Sequence, residues 1–237
     1  MPQPLIILAP GLLCDDRLFE PIMDVFHSRG LDTLVVPHHL DDSLHGIVER
    51  LRQQVAQTRE VVLIGLSMGG YIVLESFFAG LGDVKGLVLL NSNARADRDE
   101  QITLRKRLIA QSKLGRFTGV TKKLAPMFLS PQNAQDPALV SLITGMGEHI
   151  GRDGYVRQQT AIMGRKDRLS DLKMINVPTL IMVGAEDKVT PPKVSQEMHE
   201  NITGSELVIV PNCGHLVTLE APKIVCDYLG SFLDQLI

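Results

Sequence analysis

The sequence predicts an α/β domain: a mostly parallel sheet with helices on both faces and a helical lid inserted after the fourth recognisable strand. Three observations predict it. Six short segments are apolar throughout, as expected of strands buried on both faces of a sheet. They alternate with segments of helical pattern, which is how parallel strands are connected. The alternation breaks once, for the 87 residues between Asn91 and Thr179, a stretch far longer than an ordinary connection.

The first strand is residues 5–9 (LIILA), ended by Pro10-Gly11. A helical stretch near residues 18–29 leads to a second strand at 34–37 (LVVP). Residues 43–57 (SLHGIVERLRQQVAQ) read as an amphipathic helix with Asp42 or Ser43 as its N-cap. The third strand is 61–66 (VVLIGL), and a helix carrying Tyr71, Ile72, Leu74 and Phe78 starts just past Ser67. The fourth strand is 86–91 (GLVLLN), the fifth 179–183 (TLIMV) and the sixth 206–210 (ELVIV), with a closing helix at 222–235. The resulting division is a core domain in residues 1–95 and 171–237 and a lid in 96–170. Gly115, Gly119, Pro126, Pro131 and Pro137 punctuate the lid into about four short helices. Its apolar residues, among them Met127, Phe128, Leu129, Leu142, Ile143, Met146, Ile150 and Met163, either line a pocket or seat the lid on the sheet, and seating is the preferred reading.

Composition narrows the function. Of 237 residues, 44% are hydrophobic, enough for a sizeable core, and 22% are charged. A net charge of −3 without a long basic run argues against nucleic acid as a main partner. The absence of tryptophan argues against base-stacking platforms. Arg105, Lys106 and Arg107, followed by Lys113 and Arg116, read as a solvated helix face. No apolar run approaches the ~20 residues of a membrane span, and residues 1–10 lack the basic and apolar regions of a signal peptide. Three cysteines are too few for a disulfide framework, and Cys14 and Cys213 read as buried structural thiols. The expectation is a cytoplasmic protein, monomer or homodimer, with no nucleic-acid or membrane partner and no metal or organic cofactor.

Gly65-Leu66-Ser67-Met68-Gly69 fits Gly-x-Ser-x-Gly. The pattern alone is weak, but it follows an apolar strand directly and opens a helix, the context a nucleophile elbow requires. So tight a turn forces Ser67 toward positive φ, and Gly65 and Gly69 supply the missing bulk. A serine hydroxyl needs a base to act as a nucleophile. Of seven histidines, His27, His45, His149 and His199 read as surface residues, and His38 and His39 point to opposite sides. His215 lies in the turn-forming Pro211-Asn212-Cys213-Gly214-His215 after the last strand, where open α/β sheets gather site residues. Asp187, in Gly184-Ala185-Glu186-Asp187 after the fifth strand, is the candidate orienting carboxylate, with Glu186 its rival and Asp83 and Asp97 remote alternatives. The chain order Ser67, Asp187, His215 favours Asp187. An oxyanion hole needs two backbone N–H groups: Met68 supplies one, and Leu12, with Leu13 as the alternative, supplies the other.

Pro10-Gly11, GLSMGG at 65–70, GAEDKVTPP at 184–192 and NCGHLVTLEAP at 212–222 together resemble the α/β-hydrolase superfamily, in its small lid-bearing carboxylesterase and enol-lactone hydrolase branch. The resemblance implies an eight-stranded parent sheet, of which the short start here leaves out one or two strands. It also marks a departure. Relatives often carry His-Gly where this chain has Pro10-Gly11, so the oxyanion loop has lost an imidazole that bears on its bracing. Arg165 and Asp167 look like a recurring pair that braces the lid exit. The function implied is hydrolysis of a carboxylic ester with a small to medium acyl group through an acyl-enzyme. Thioesterase, lactonase and C–C hydrolase chemistry on the same triad, or a non-catalytic ligand-binding receptor, are the alternatives.

Overall fold

The computed structural model of the chain describes residues 3–115, 117, 119 and 123–237; Arg116 of the basic cluster and the first two residues lie outside them. Six strands form one parallel sheet: β1 (Leu5–Ala9), β2 (Thr33–Val35), β3 (Glu60–Leu66), β4 (Asp83–Leu90), β5 (Thr179–Gly184) and β6 (Glu206–Val210). Their order is β2-β1-β3-β4-β5-β6. The chain runs from β1 out to the β2 edge, returns to β3 and then moves steadily the other way. The order therefore reverses between β1 and β3, which pair in parallel from Leu5↔Val61 to Ala9↔Gly65. At such a switch point the loops after two adjacent strands part and leave a crevice.

Successive strand side chains take opposite faces. Ile6 and Leu8 accordingly join one apolar cluster with Phe19, Phe26, Ile64 and Leu66. Ile7 and Ala9 join the other with Ile47, Leu51, Leu63 and Ile72. The central strands are buried on both sides, while edge strand β6 alternates, with Ile209 exposed.

Nine helices pack around the sheet among the described residues: α1 (Asp24–His27), α2 (Leu44–Arg52), α3 (Met68–Phe78), α4 (Asp99–Ser112), α5 (Ala125–Phe128), α6 (Pro137–Met163), α7 (Pro192–Asn201), α8 (Val217–Glu220) and α9 (Pro222–Asp234). The single helix expected near residues 18–29 is instead two 3₁₀ turns, Asp16–Leu18 and Glu20–Ile22, followed by the one-turn α1. Pro21 explains the break, because it has no N–H for a helix interior and sits in the first turn of its own segment. Ser43, not Asp42, caps α2, its hydroxyl accepting from Gly46 N–H at 3.1 Å.

Between β4 and β5 the described residues are helical in about four pieces of uneven length, namely α4, the one-turn α5 and the two halves of α6, the α4 and α6 pieces being longer than expected. Pro126 and Pro137 sit in first turns, where proline starts a helix instead of breaking it. The break falls inside α6, at Gly151 with φ 69° and ψ 178°. Leu129, Ile143, Met146 and Ile150 are buried in the first cluster, whereas Met127 is exposed. Both ends of this helical insertion are tied to one buried carboxylate. Asp97 receives Arg105 Nε at 2.5 Å and pairs with Arg165 Nη2 at 2.8 Å. The Arg165 guanidinium also lies 4.3 Å over the Tyr71 ring. Two expectations are corrected here. Arg165 pairs with Asp97 rather than Asp167, which instead accepts from Ala96 and Leu169 N–H. Arg105 turns inward because Asp97 and Gln159 hold it, while Lys106 and Arg107 remain solvated. No described helix is long and apolar enough to cross a membrane.

The start of α3 crosses the end of β1 so closely that a Cβ on Gly69 would lie 1.8 Å from the Ala9 carbonyl oxygen. Gly69→Ala should therefore cost more than about 3 kcal/mol or prevent folding, since overpacking against backbone has no rotamer to relax into. Gly164→Ala, whose added methyl meets nothing closer than 3.6 Å, should stay within about 1 kcal/mol of wild type. Urea unfolding of both variants checks the contrast.

Candidate active site

Ser67 occupies the turn from β3 into α3 with φ 57° and ψ −113°, a region closed to most L-residues and costing about 1–3 kcal/mol. The neighbours make the turn possible. A Cβ on Gly65 would lie 2.2 Å from Gly69 O, and one on Gly70 would lie 2.1 Å from Ser92 Oγ. Ser67 N–H donates to Leu90 O at 2.9 Å and Ser92 Oγ donates to Ser67 O at 2.8 Å, so both sides of the strained residue are pinned. Its hydroxyl makes no cap to α3. It donates instead to His215 Nε2, at 2.9 Å. On the other edge of the ring, His215 Nδ1–H donates to Asp187 Oδ2 at 2.8 Å. The structure thus brings together the three residues the sequence singles out, each from a loop at the C-terminal end of a strand.

The loop carrying His215 is tied down at its backbone. His215 N–H donates to Phe128 O at 2.8 Å, and Glu220 accepts from Gly214 N–H (3.0 Å) and Leu216 N–H (3.2 Å). The other oxygen of Glu220 accepts from Ser130 N–H at 2.7 Å and Asn133 Nδ2 at 3.0 Å, linking the loop to the helical insertion. Asp187 is saturated with donors. Oδ1 accepts from Val189 N–H (2.8 Å) and Thr190 N–H (2.9 Å). Oδ2 accepts from Asn91 Nδ2, and the Thr190 hydroxyl lies beside it, each at 2.8 Å. Asp83 pairs with Lys85 and Asp97 with the two arginines, so neither remote alternative is near His215. The Glu186 backbone N–H bonds Cys213 O, and its carboxylate makes no bond to His215.

Among the described residues, neither Leu12 N–H nor Met68 N–H has a protein acceptor. The alternative, Leu13 N–H, is occupied: it donates to Gln158 Oε1 at 3.1 Å. Sequence reasoning missed Asn91, Thr190, Glu220 and Gln158. Only Thr190 left a trace, as a hydroxyl residue three positions after Asp187, the spacing of a local side-chain-to-backbone turn.

The model of the alpha/beta hydrolase family matches residues 8–228. The chain belongs to that family. Within it, the chain is 24% identical over 204 residues to an uncharacterized hydrolase of Bacillus subtilis, covering 79% of this chain and 68% of that protein. It is 27% identical over 184 residues to a pimeloyl-[acyl-carrier protein] methyl ester esterase of Neisseria meningitidis, covering 73% of this chain and 58% of that enzyme. A thermophilic esterase of Thermogutta terrifontis superposes with a TM-score of 0.88 at 22% identity, covering 99% of this chain and 90% of the other.

In this hydrolase-family chain, Ser67 and His215 open onto a cavity of about 100 Å³, walled by Leu12, Met68, Tyr71, Phe128, Ile143 and Ile162. A wider cleft of about 670 Å³ adjoins it and shares Leu12, Leu13, Arg105, Phe128 and Val189. Phe128 and Ile143 thus serve both readings of the insertion's apolar residues. Cys14 and Cys213 are buried and free, with burial pushing the Cys14 thiol to about 12 and the Cys213 thiol higher still. No described cluster of His, Cys, Asp and Glu is arranged to hold a metal.

Burial pushes the Asp187 carboxyl upward, but the hydrogen bond and charge of His215, with the Asn91 and Thr190 bonds, outweigh it and hold the group below the usual carboxylate range. A lowered folded pKa gives stability that is fully present above the unfolded value of about 3.9 and is lost as pH falls through the folded one. Asp187→Asn should therefore lower unfolding free energy near pH 7, and the gap from wild type should narrow on acidification below pH ~4. Urea titrations at several pH values measure the gap; a constant offset would contradict this electrostatic reading.

Proposed function

We propose that the chain is a serine hydrolase that cleaves carboxylic esters of small to medium acyl groups through an acyl-enzyme. The observation that carries this reading is the hydrogen-bonded path from Ser67 Oγ through His215 to Asp187, with links of 2.9 and 2.8 Å, ending at a cavity beside two backbone N–H groups.

Ser67 attacks the acyl carbon while His215 takes its proton at Nε2. The resulting oxyanion is met by the Leu12 and Met68 N–H groups, and Met68 opens α3, where the helix dipole also favours negative charge. His215 then gives its proton to the leaving alcohol, and water repeats the cycle on the acyl-enzyme. Asp187 holds the imidazole with Nε2 free for Ser67 and stabilises the cation that forms. The helices between β4 and β5 act as a lid, because Phe128 and Ile143 wall the cavity from that side. The meningococcal relative and the superposed thermophilic protein are both esterases, which agrees with ester chemistry. The small inner cavity and the wider apolar cleft beside it accommodate a short acyl group and an organic leaving group.

Ser67→Ala should leave folding intact, since alanine keeps the same Cβ at the positive φ, and reduce kcat on 4-nitrophenyl butyrate by about 10⁴- to 10⁶-fold. Steady-state kinetics on the purified variant decide it. Turnover near the wild-type rate would mean that the hydroxyl is not the nucleophile.

A further inference from the structure

The loop after β1 carries one of the two N–H groups assigned to the oxyanion, and its conformation is not self-supporting. Leu13 has φ 60°, a left-handed conformation that costs a leucine on the order of 1–2 kcal/mol. Support comes from an imidazole in another part of the chain. His38, three residues past the end of β2, is 1% exposed and sets Nε2 2.9 Å from the Gly11 carbonyl oxygen. The same Nε2 lies 2.9 Å from Gln158 Nε2, on α6 of the helical insertion. Gln158 is fully buried, and its orientation is fixed because Oε1 accepts from Leu13 N–H at 3.1 Å.

The geometry of the peptide unit turns these contacts into an aim. Gly11 C=O and Leu12 N–H belong to one planar trans peptide, so they point in opposite directions. The Gly11 carbonyl faces inward, to His38 and to Cys14 N–H at 3.1 Å. Leu12 N–H is therefore directed outward, toward the cavity of which Gly11, Leu12 and Ser67 are walls. The next N–H along, at Leu13, is removed from competition by Gln158.

Burial drives the His38 pKa down to about 4, so the ring is neutral and carries one proton. With that proton on Nε2 it donates to Gly11 O. With it on Nδ1, the ring donates to Val36 O at 3.3 Å and accepts from Gln158. The first tautomer holds the loop from the core at Gly11 while Gln158 holds it from the insertion at Leu13; the second leaves Gly11 O to Cys14 N–H and holds the loop through Gln158 alone. The proposed mechanism does not otherwise use His38 or Gln158, and two buried polar side chains converging on Gly11 and Leu13 of one loop are otherwise a cost.

We propose that His38 and Gln158 are positioning residues that aim the Leu12 N–H at the developing oxyanion. The proposal rests on the hydrolase reading. It assigns the two residues an effect on the transition state rather than on substrate binding, and it ties the oxyanion donor to the seating of α6.

The test compares Gln158→Met, His38→Phe and His38→Asn with wild type on 4-nitrophenyl butyrate and on butylboronic acid, which forms a tetrahedral adduct on an active serine. Ile47→Ala serves as the stability control, since Ile47 is buried on α2 and lines neither cavity. Misaiming one oxyanion donor should lower kcat by about 10- to 100-fold, somewhat less than the 10²–10³ for deleting such a donor, with KM within about threefold. Boronate affinity should fall by the same factor as kcat/KM. Combining His38→Phe with Gln158→Met should cost little more than the worse single change, because the two act as one clamp. The inference is overturned if any folded clamp variant keeps kcat within threefold of wild type, or if kcat falls no more than in an Ile47→Ala protein of equal Tm. An inactive Ser67→Ala alongside a fully active Gln158→Met would sink this inference alone. An active Ser67→Ala would instead remove the hydrolase reading beneath it.

Discussion

The site depends on a backbone collision that the sequence narrowly avoids. To bring Ser67 to the rim of the sheet, β3 must turn into α3 within one residue, with the first turn of α3 pressed against the end of β1. At Gly65, Gly69 and Gly70 there is no room for even one added carbon, with clearances of 1.8–2.2 Å to the nearest atoms. The cost of the turn, about 1–3 kcal/mol at Ser67, is met by packing on both faces of the sheet and by the bonds that Leu90 and Ser92 make to the serine backbone. Because β1 and β3 are adjacent and the strand order reverses between them, the same close approach sets the Gly11–Leu13 loop beside the hydroxyl. Ser67 and the Gly11–Leu13 loop are therefore positioned by one contact rather than two.

The rest of the site is held by loops that bond to each other more than to the sheet. Asp187 gathers four donors from Asn91, Val189 and Thr190, in addition to His215. Asn91 Nδ2 also donates to Gly214 O at 3.0 Å, next to the histidine. Glu220 then joins the histidine loop to Ser130 and Asn133 of the helical insertion. The insertion is thus connected to both halves of the site: through Glu220 and Phe128 to the imidazole, and through Gln158 to the Gly11–Leu13 loop. It is anchored at its own ends by Asp97, whose carboxyl is held below the usual range by Arg105 and Arg165 despite its burial.

Much of this is legible in the sequence, for definable reasons. All six strands are apolar runs ended by turn residues, so their existence and order along the chain could be read directly, with boundaries off by at most a few residues. Ser67, Asp187 and His215 are legible because each follows a strand end in a segment of distinctive composition. What is not legible is anything decided by distant partners. Pro21 alone hints that residues 18–29 do not make one helix. Gly151, an ordinary-looking glycine in a helical pattern, gives no sign of the kink it makes. Arg105 sits in a basic run and reads as solvated, yet a carboxylate eight residues earlier draws it inward. Asn91 and Glu220 act through a side-chain amide and a carboxylate that reach backbone groups across the fold, and local pattern carries no record of such bonds. The same is true of His38, which reads as one of two adjacent loop histidines until its ring is found against Gly11.

The central claim is that the imidazole at 215 activates the hydroxyl at 67 in the folded protein. The most direct measurement is the rate and site of phosphonylation by a fluorophosphonate, read by mass spectrometry of digested protein, for wild type and His215→Ala. The account predicts one adduct, on the peptide containing Ser67, formed at least about 10²-fold more slowly without the imidazole. An adduct on another residue, or equal rates in the two proteins, would contradict it.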